Sequence, residues 1–151
     1  MKSKQVFVTV GALAAVFAFS GCSAAEMIET QVKAKAACVF VSTPYDGWVS
    51  AGSSSGSVTG KLGQEATLAG LDAALGQLSG LASAEEIELA KSSLTSKTSG
   101  FSAAELAAAI TNFSDSITIE SKNGTDWTPG QMPSVDSGYA TVQSVCSSIA
   151  S

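Results

Sequence analysis

The sequence predicts a mainly α fold, a small bundle of four to five helices stapled by one disulfide. Three observations carry this expectation. Apolar residues recur at helical spacing along most of the chain, as in Leu68, Leu71, Leu75 and Leu78. Two capping boxes, Ser83-Ala84-Glu85-Glu86 and Ser102-Ala103-Ala104-Glu105, mark helix starts. In each, serine and the glutamate three positions on satisfy one another's free backbone donors. Finally, Cys38 and Cys146 fall on apolar faces of the first and last predicted helices, where a bond between them would join the two ends of the domain.

The first predicted helix covers residues 26–41, with Ile28, Val32, Ala36 and Val39 on one face. Glu26 and Glu29 lie in its first turn, where the helix dipole favours carboxylates. Residues 42–60 read as a loop. Pro44 and Asp46-Gly47 are turn chemistry, and Ser53-Ser54-Ser55-Gly56-Ser57 has flexible-loop composition. A short strand at 39–41 or a small hairpin around Asp46-Gly47 fits the same stretch. The second helix is expected over 62–78, with Gly70 and Gly76 marking close helix packing.

Ser83 opens the third helix, through Ile87, Ala90 and Leu94, and Ser102 opens the fourth, with Leu106, Ile110, Phe113 and, in its longer reading, Ile117. Ile117 and Ile119 then alternate with polar residues, and Asn123-Gly124 is a hairpin turn signal. Trp127, Pro129-Gly130 and Pro133 read as a structured loop. The last helix, 134–149, places Val135, Tyr139, Val142, Cys146 and Ile149 on one face. The alternative is an α+β domain in which 39–41, 117–120 and the Trp127 region form a small sheet.

The N-terminus carries a different kind of signal. Lys2 and Lys4 precede residues 6–19, which contain no ionisable group, and Phe19-Ser20-Gly21-Cys22 follows. That apolar run is shorter than the ~20 residues needed to cross a bilayer and ends in small residues. The segment resembles the signal peptide and lipobox of bacterial lipoproteins, with Phe19 where leucine is commonest. The resemblance covers the first 22 residues only. It implies a signal peptide (1–21) removed before Cys22, a diacylglyceryl thioether on Cys22, and an added fatty-acyl chain such as palmitate on the new N-terminus. Two acyl chains give stable anchoring. Residues 22–25 would then be a lipidated start and short tether, and 26–151 a single helical domain. The alternative is an ordinary secretory signal cut near Ala24-Ala25, which discards Cys22.

Residues 22–151 suffice for one domain with a real core. They hold six of the eight lysines and all thirteen acidic residues, a formal charge of −7, with no Arg or His. Such a chain lacks the cationic track that phosphate backbones require, so nucleic-acid binding is not expected. Nor does its charge favour anionic headgroups, which leaves attachment to the lipid. With Cys22 lipidated, Cys38 and Cys146 form an even pair in an oxidising compartment. Their bond would close a long loop, worth about 4–5 kcal/mol in the chain-entropy treatment.

No catalytic constellation emerges. Histidine is absent, no serine sits in a Gly-x-Ser-x-Gly elbow, and the glycine-rich 52–63 stretch lacks a following Gly-Lys-Ser/Thr. Glu85, Glu86 and Glu88 read as helix N-terminal charge, and Asp46, Asp126 and Asp136 lack calcium-loop spacing. No enzyme activity, metal or cofactor is expected. The remaining candidates are Tyr45, Trp48 and Trp127, placed by this reading in two polar loops, where such rings either contact a partner or fold back to cap the bundle. The functional expectation is therefore an envelope lipoprotein, lipid-anchored on the extracytoplasmic side of a bacterial membrane. It would act as a non-enzymatic protein-binding or accessory module held close to that membrane, with an envelope protein as partner. The alternative is a carrier of a small apolar ligand or lipid between helices. Where the organism has an outer membrane, Ser23 resembles residues that permit transfer to it.

Overall fold

The computed structural model of the protein describes residues 24–94, 102–124 and 126–150. The expected signal peptide and Cys22 lie outside the described residues. The chain divides into Met1–Val32 and Lys33–Ser151, and the packing below belongs to the second unit. The described helices are α1 (Ala24–Ala51), α2 (Val58–Leu78), α3 (Ala84–Ser93), α4 (Ala103–Lys122) and α5 (Pro133–Ala150). No strand occurs among the described residues; Ser79 and Ala82 make an isolated bridge. The helical bundle is the fold, and the α+β alternative is set aside.

Helix α4 is the centre. Residues 105–110 are all buried, so this stretch is covered on every side, and α2, α3 and α5 pack around it. Leu106, Ile110, Phe113 and Ile117 fill the core together with Leu71 and Ala74 of α2 and Val135, Val142 and Val145 of α5. Both capping boxes form as the sequence predicts. Ser83 accepts from the Glu86 amide while Glu86 accepts from the Ser83 amide, and Ser102 and Glu105 repeat the exchange. The Glu105 carboxylate is buried and also accepts from the Ser93 hydroxyl, which ties the start of α4 to the end of α3.

Two stretches differ from the sequence expectation. Helix α1 does not stop at residue 41; it runs through Thr43, Pro44, Asp46 and Gly47 to Ala51 and ends where Gly52 turns at φ +67°. Tyr45 and Trp48 therefore sit on a helix, not in a loop. The turn residues are overridden because these rings are buried in the core, about 1.5–3 kcal/mol per large side chain. That sum offsets the ~3 kcal/mol that an interior proline costs. Likewise, Ile117 and Ile119 lie within α4, and Asn123-Gly124 closes that helix instead of turning a hairpin, with Gly124 at φ +71°.

Pro44 has no N–H for the carbonyl four residues back, that of Phe40. That carbonyl faces Gly70 of α2, where a Cβ would stand 2.3 Å from the Phe40 oxygen and 2.8 Å from the Pro44 ring. Two turns earlier on α2, a Cβ on Gly63 would stand 2.6 Å from the Trp48 indole. Antiparallel α1 and α2 thus approach closely because Gly63 and Gly70 lack side chains. Gly76, which the sequence also suggested as a packing glycine, faces open space.

A matched pair of substitutions separates these roles. Gly76→Ala should raise stability by up to about 1 kcal/mol through helix propensity. Gly70→Ala should lower it despite the same gain, because the added carbon meets backbone that cannot give way. Thermal melts of the two variants check the opposite signs.

Candidate functional site

Between α1 and α5 lies the densest cluster of chemistry-bearing side chains. Cys38 and Cys146 are joined by a disulfide, with Cα atoms 6.0 Å apart. Seven residues along each helix from that bond, Tyr45 and Tyr139 face one another with ring centroids 4.4 Å apart. Seven residues are two helical turns, so the antiparallel helices keep one register from the disulfide to the rings.

The two tyrosines exchange hydrogen bonds across the seam. Tyr139 donates to Asp46 Oδ1 at 2.8 Å, and Tyr45 donates to Asp136 Oδ1 at 3.3 Å. Asp136 stands in the first turn of α5 and its Oδ1 also accepts from the Gly130 amide at 3.1 Å, so it anchors the preceding turn as well. Burial, then the charge of Asp136, pushes the Tyr45 phenol far above its ordinary value. Burial, then the hydrogen bond to Asp46, does the same for Tyr139. Phenols held neutral in this way are neither bases nor nucleophiles near neutral pH.

The aromatic cluster extends from this seam to the end of the bundle. Tyr45 meets Phe113 and Trp48 edge-on, and Trp48 lies 5.2 Å from Trp127. The Trp48 Nε1 donates to the Ser53 carbonyl at 3.2 Å, whereas the Trp127 Nε1 is buried with no partner among the described residues. Around Trp127 the backbone is stitched to the 52–57 turn. The Ser55 amide donates to the Trp127 carbonyl at 2.7 Å, the Trp127 amide to the Ser55 hydroxyl, and the Gly56 amide to Asp126.

Of the residues singled out from sequence, the structure joins Cys38 to Cys146 and gathers Tyr45, Trp48 and Trp127 into one cluster. It does not display the three rings. Tyr45, Trp48 and Trp127 are 2%, 3% and 5% exposed, so of the two roles the sequence allows them they take the inward one, capping and filling the bundle. Asp46, Asp136 and Tyr139 escaped notice as partners. The shared seven-residue interval between Cys38 and Tyr45, and between Tyr139 and Cys146, was the available signal. Among the described residues no group of three or more His, Cys, Asp or Glu is arranged to hold a metal ion. One cleft of about 210 Å³ runs beside the disulfide, lined in part by Val39, Val41 and Val142. A second, of about 370 Å³, is lined mainly by polar side chains that include Lys61, Glu65 and Asp126. No family profile, curated protein or solved structure matches the chain.

Tyr45 and Tyr139 are the chain's two tyrosines, so tyrosinate absorbance reports on this seam alone. Their folded-state ionisation is shifted upward from the unfolded value near 10. The stabilisation is thus fully present below about pH 10 and is lost as pH rises towards the folded values. Titration at 295 nm should show almost no tyrosinate in the folded protein at about pH 10.5, and a cooperative rise coincident with loss of helical ellipticity at higher pH. Separately, Trp48→Ala and Trp127→Ala should each cost about 3–5 kcal/mol in denaturant melts, the behaviour of core rings.

Proposed function

We propose that the protein is a bacterial envelope lipoprotein, anchored through Cys22, whose helical bundle serves as a non-enzymatic protein-binding or accessory module held close to the membrane. The observation that carries this reading is Phe19-Ser20-Gly21-Cys22 at the end of an uncharged run preceded by Lys2 and Lys4. The Cys38–Cys146 disulfide supports it, since such bonds persist in oxidising compartments outside the cytoplasm. Among the described residues no helix is long and apolar enough to cross a membrane, and in this reading the acyl chains anchor the protein without spanning it.

A contact module is favoured over a carrier by how the interior is used. Phe113, Leu71, Leu106, Ile110 and Ile117 are fully buried and occupy the space between helices. The cleft of about 370 Å³ carries the charged side chains of Lys61, Glu65 and Asp126, which an apolar ligand would desolvate, and the one by the disulfide, at about 210 Å³, is below the ~300 Å³ at which ligand pockets begin. Partner contacts would then be made by helix faces, because the aromatic rings are committed to the core.

Metabolic labelling with a fatty acid tests the anchor. The intact chain should be labelled and sediment with membranes. Cys22→Ala should lose the label and either stall as precursor or release the domain. Undiminished label and membrane retention in that variant would overturn the proposal.

A further inference from the structure

We infer that the Cys38–Cys146 disulfide is a redox latch: a dithiol cuts it in the folded protein, and the α1 residues ahead of Val41 then leave α5 while the rest of the bundle stays folded. The bond lies within reach of solvent. Cys38 and Cys146 are both half-buried, and both line the cleft of about 210 Å³ between α1 and α5. Val39, 58% exposed, and the exposed Gln143 and Ser147 stand at the same cleft. Among the described residues none with a charge lines it, so an incoming thiolate meets no fixed carboxylate there. A disulfide that a thiolate can reach exchanges in the folded state, whereas an enclosed one waits for unfolding. The exchange is two displacements. One thiolate of the dithiol attacks Cys38 or Cys146, the Sγ–Sγ bond breaks, and the other cysteine leaves as a thiolate that takes up a proton. The dithiol's second thiolate then displaces the remaining cysteine. Two electrons pass to the protein, the dithiol ends as a disulfide, and Cys38 and Cys146 end as thiols.

The distribution of burial along α1 decides what the cut releases. Ahead of Cys38, the buried side chains among the described residues are Ala34 and Ala37, which offer little apolar area. From Val41 onward the helix buries Val41, Tyr45 and Trp48, and Tyr45 is held by Tyr139 and Asp136. Cys38 therefore stands at the boundary between a weakly packed and a strongly packed half of α1. While the bond is closed, α1 cannot leave α5 at that point, so the bond restrains a partly open state as it restrains the unfolded one. Once it is cut, residues 34–40 keep their helix through local propensity and two alanines, and so short a segment is marginal in water without tertiary packing. Its departure uncovers Val142 and Cys146 on the facing side of α5. The tyrosine contact two turns further on takes no part in the chemistry and keeps the remaining helices in register.

Dithiothreitol treatment of the intact protein purified from the cells that make it, followed by hydrogen exchange read by mass spectrometry, tests this inference. Without denaturant, Cys38 and Cys146 should both become open to alkylation while the near-ultraviolet circular dichroism bands of Trp48 and Trp127 persist. Amides of residues 34–40 should exchange at least about ten-fold faster in the reduced protein than in the oxidised one, and about ten-fold faster than those of residues 106–117 in the same reduced sample. The double variant Cys38→Ala and Cys146→Ala should reproduce that pattern with no reductant, which separates the missing bond from effects of the reagent. Cys22→Ala should respond to dithiothreitol in the same way, so the result stands apart from the anchor proposed above. A bond that resists dithiothreitol until denaturant is added, tryptophan bands lost together with reduction, or unchanged exchange over residues 34–40 would overturn the inference.

Discussion

The register between α1 and α5 is the constraint on which the rest of the bundle depends. It is fixed twice, by the Cys38–Cys146 bond and by the Tyr45–Tyr139 contact one heptad away. A single covalent point would leave α1 free to pivot against α5. A second contact two turns along removes that freedom, and the crossed hydrogen bonds to Asp46 and Asp136 define which turns meet. With the ends of the domain held in this way, Phe113 of the central helix is enclosed by Tyr45 and Tyr139. The disulfide acts chiefly on the unfolded chain by shortening its accessible ensemble, whereas the ring contacts act on the folded one.

A second constraint follows from carrying α1 past Pro44. The missing amide leaves the Phe40 carbonyl without its helical partner, and a bulky neighbour would bury it unsatisfied. Gly70 admits α2 closely at that point, and Gly63 does the same over Trp48. The proline and the two glycines are therefore one compensating arrangement. The proline alone would weaken α1, and the glycines alone would weaken α2; together they bring two helices into contact.

The same arrangement bears on function. Aromatic residues are the usual anchors of binding surfaces, but here Tyr45, Trp48, Trp127 and Tyr139 are spent on holding the bundle together. In the proposed reading, contact with a partner is left to the exposed residues of the helices.

By itself the sequence determined the helical class, the starts of α3 and α4, the disulfide pairing and the apolar face of α5. Each of these rests on local chemistry or on strict periodicity: a serine and a glutamate three apart, two remaining thiols, apolar residues every three to four positions. Tertiary structure alone decided the fate of residues 42–51 and 117–124. There, turn-forming Pro44, Asp46-Gly47 and Asn123-Gly124 argue locally for loops and hairpins, while the free energy of burying Tyr45, Trp48 and Ile117 lies in contacts with residues distant in the chain. The rings of the candidate site were legible as important, but not as buried, because burial is a property of what surrounds a side chain. The partners Asp46 and Asp136 became visible only once α1 and α5 lay antiparallel in one register, since residues ninety or more positions apart have no local signal by which to find each other.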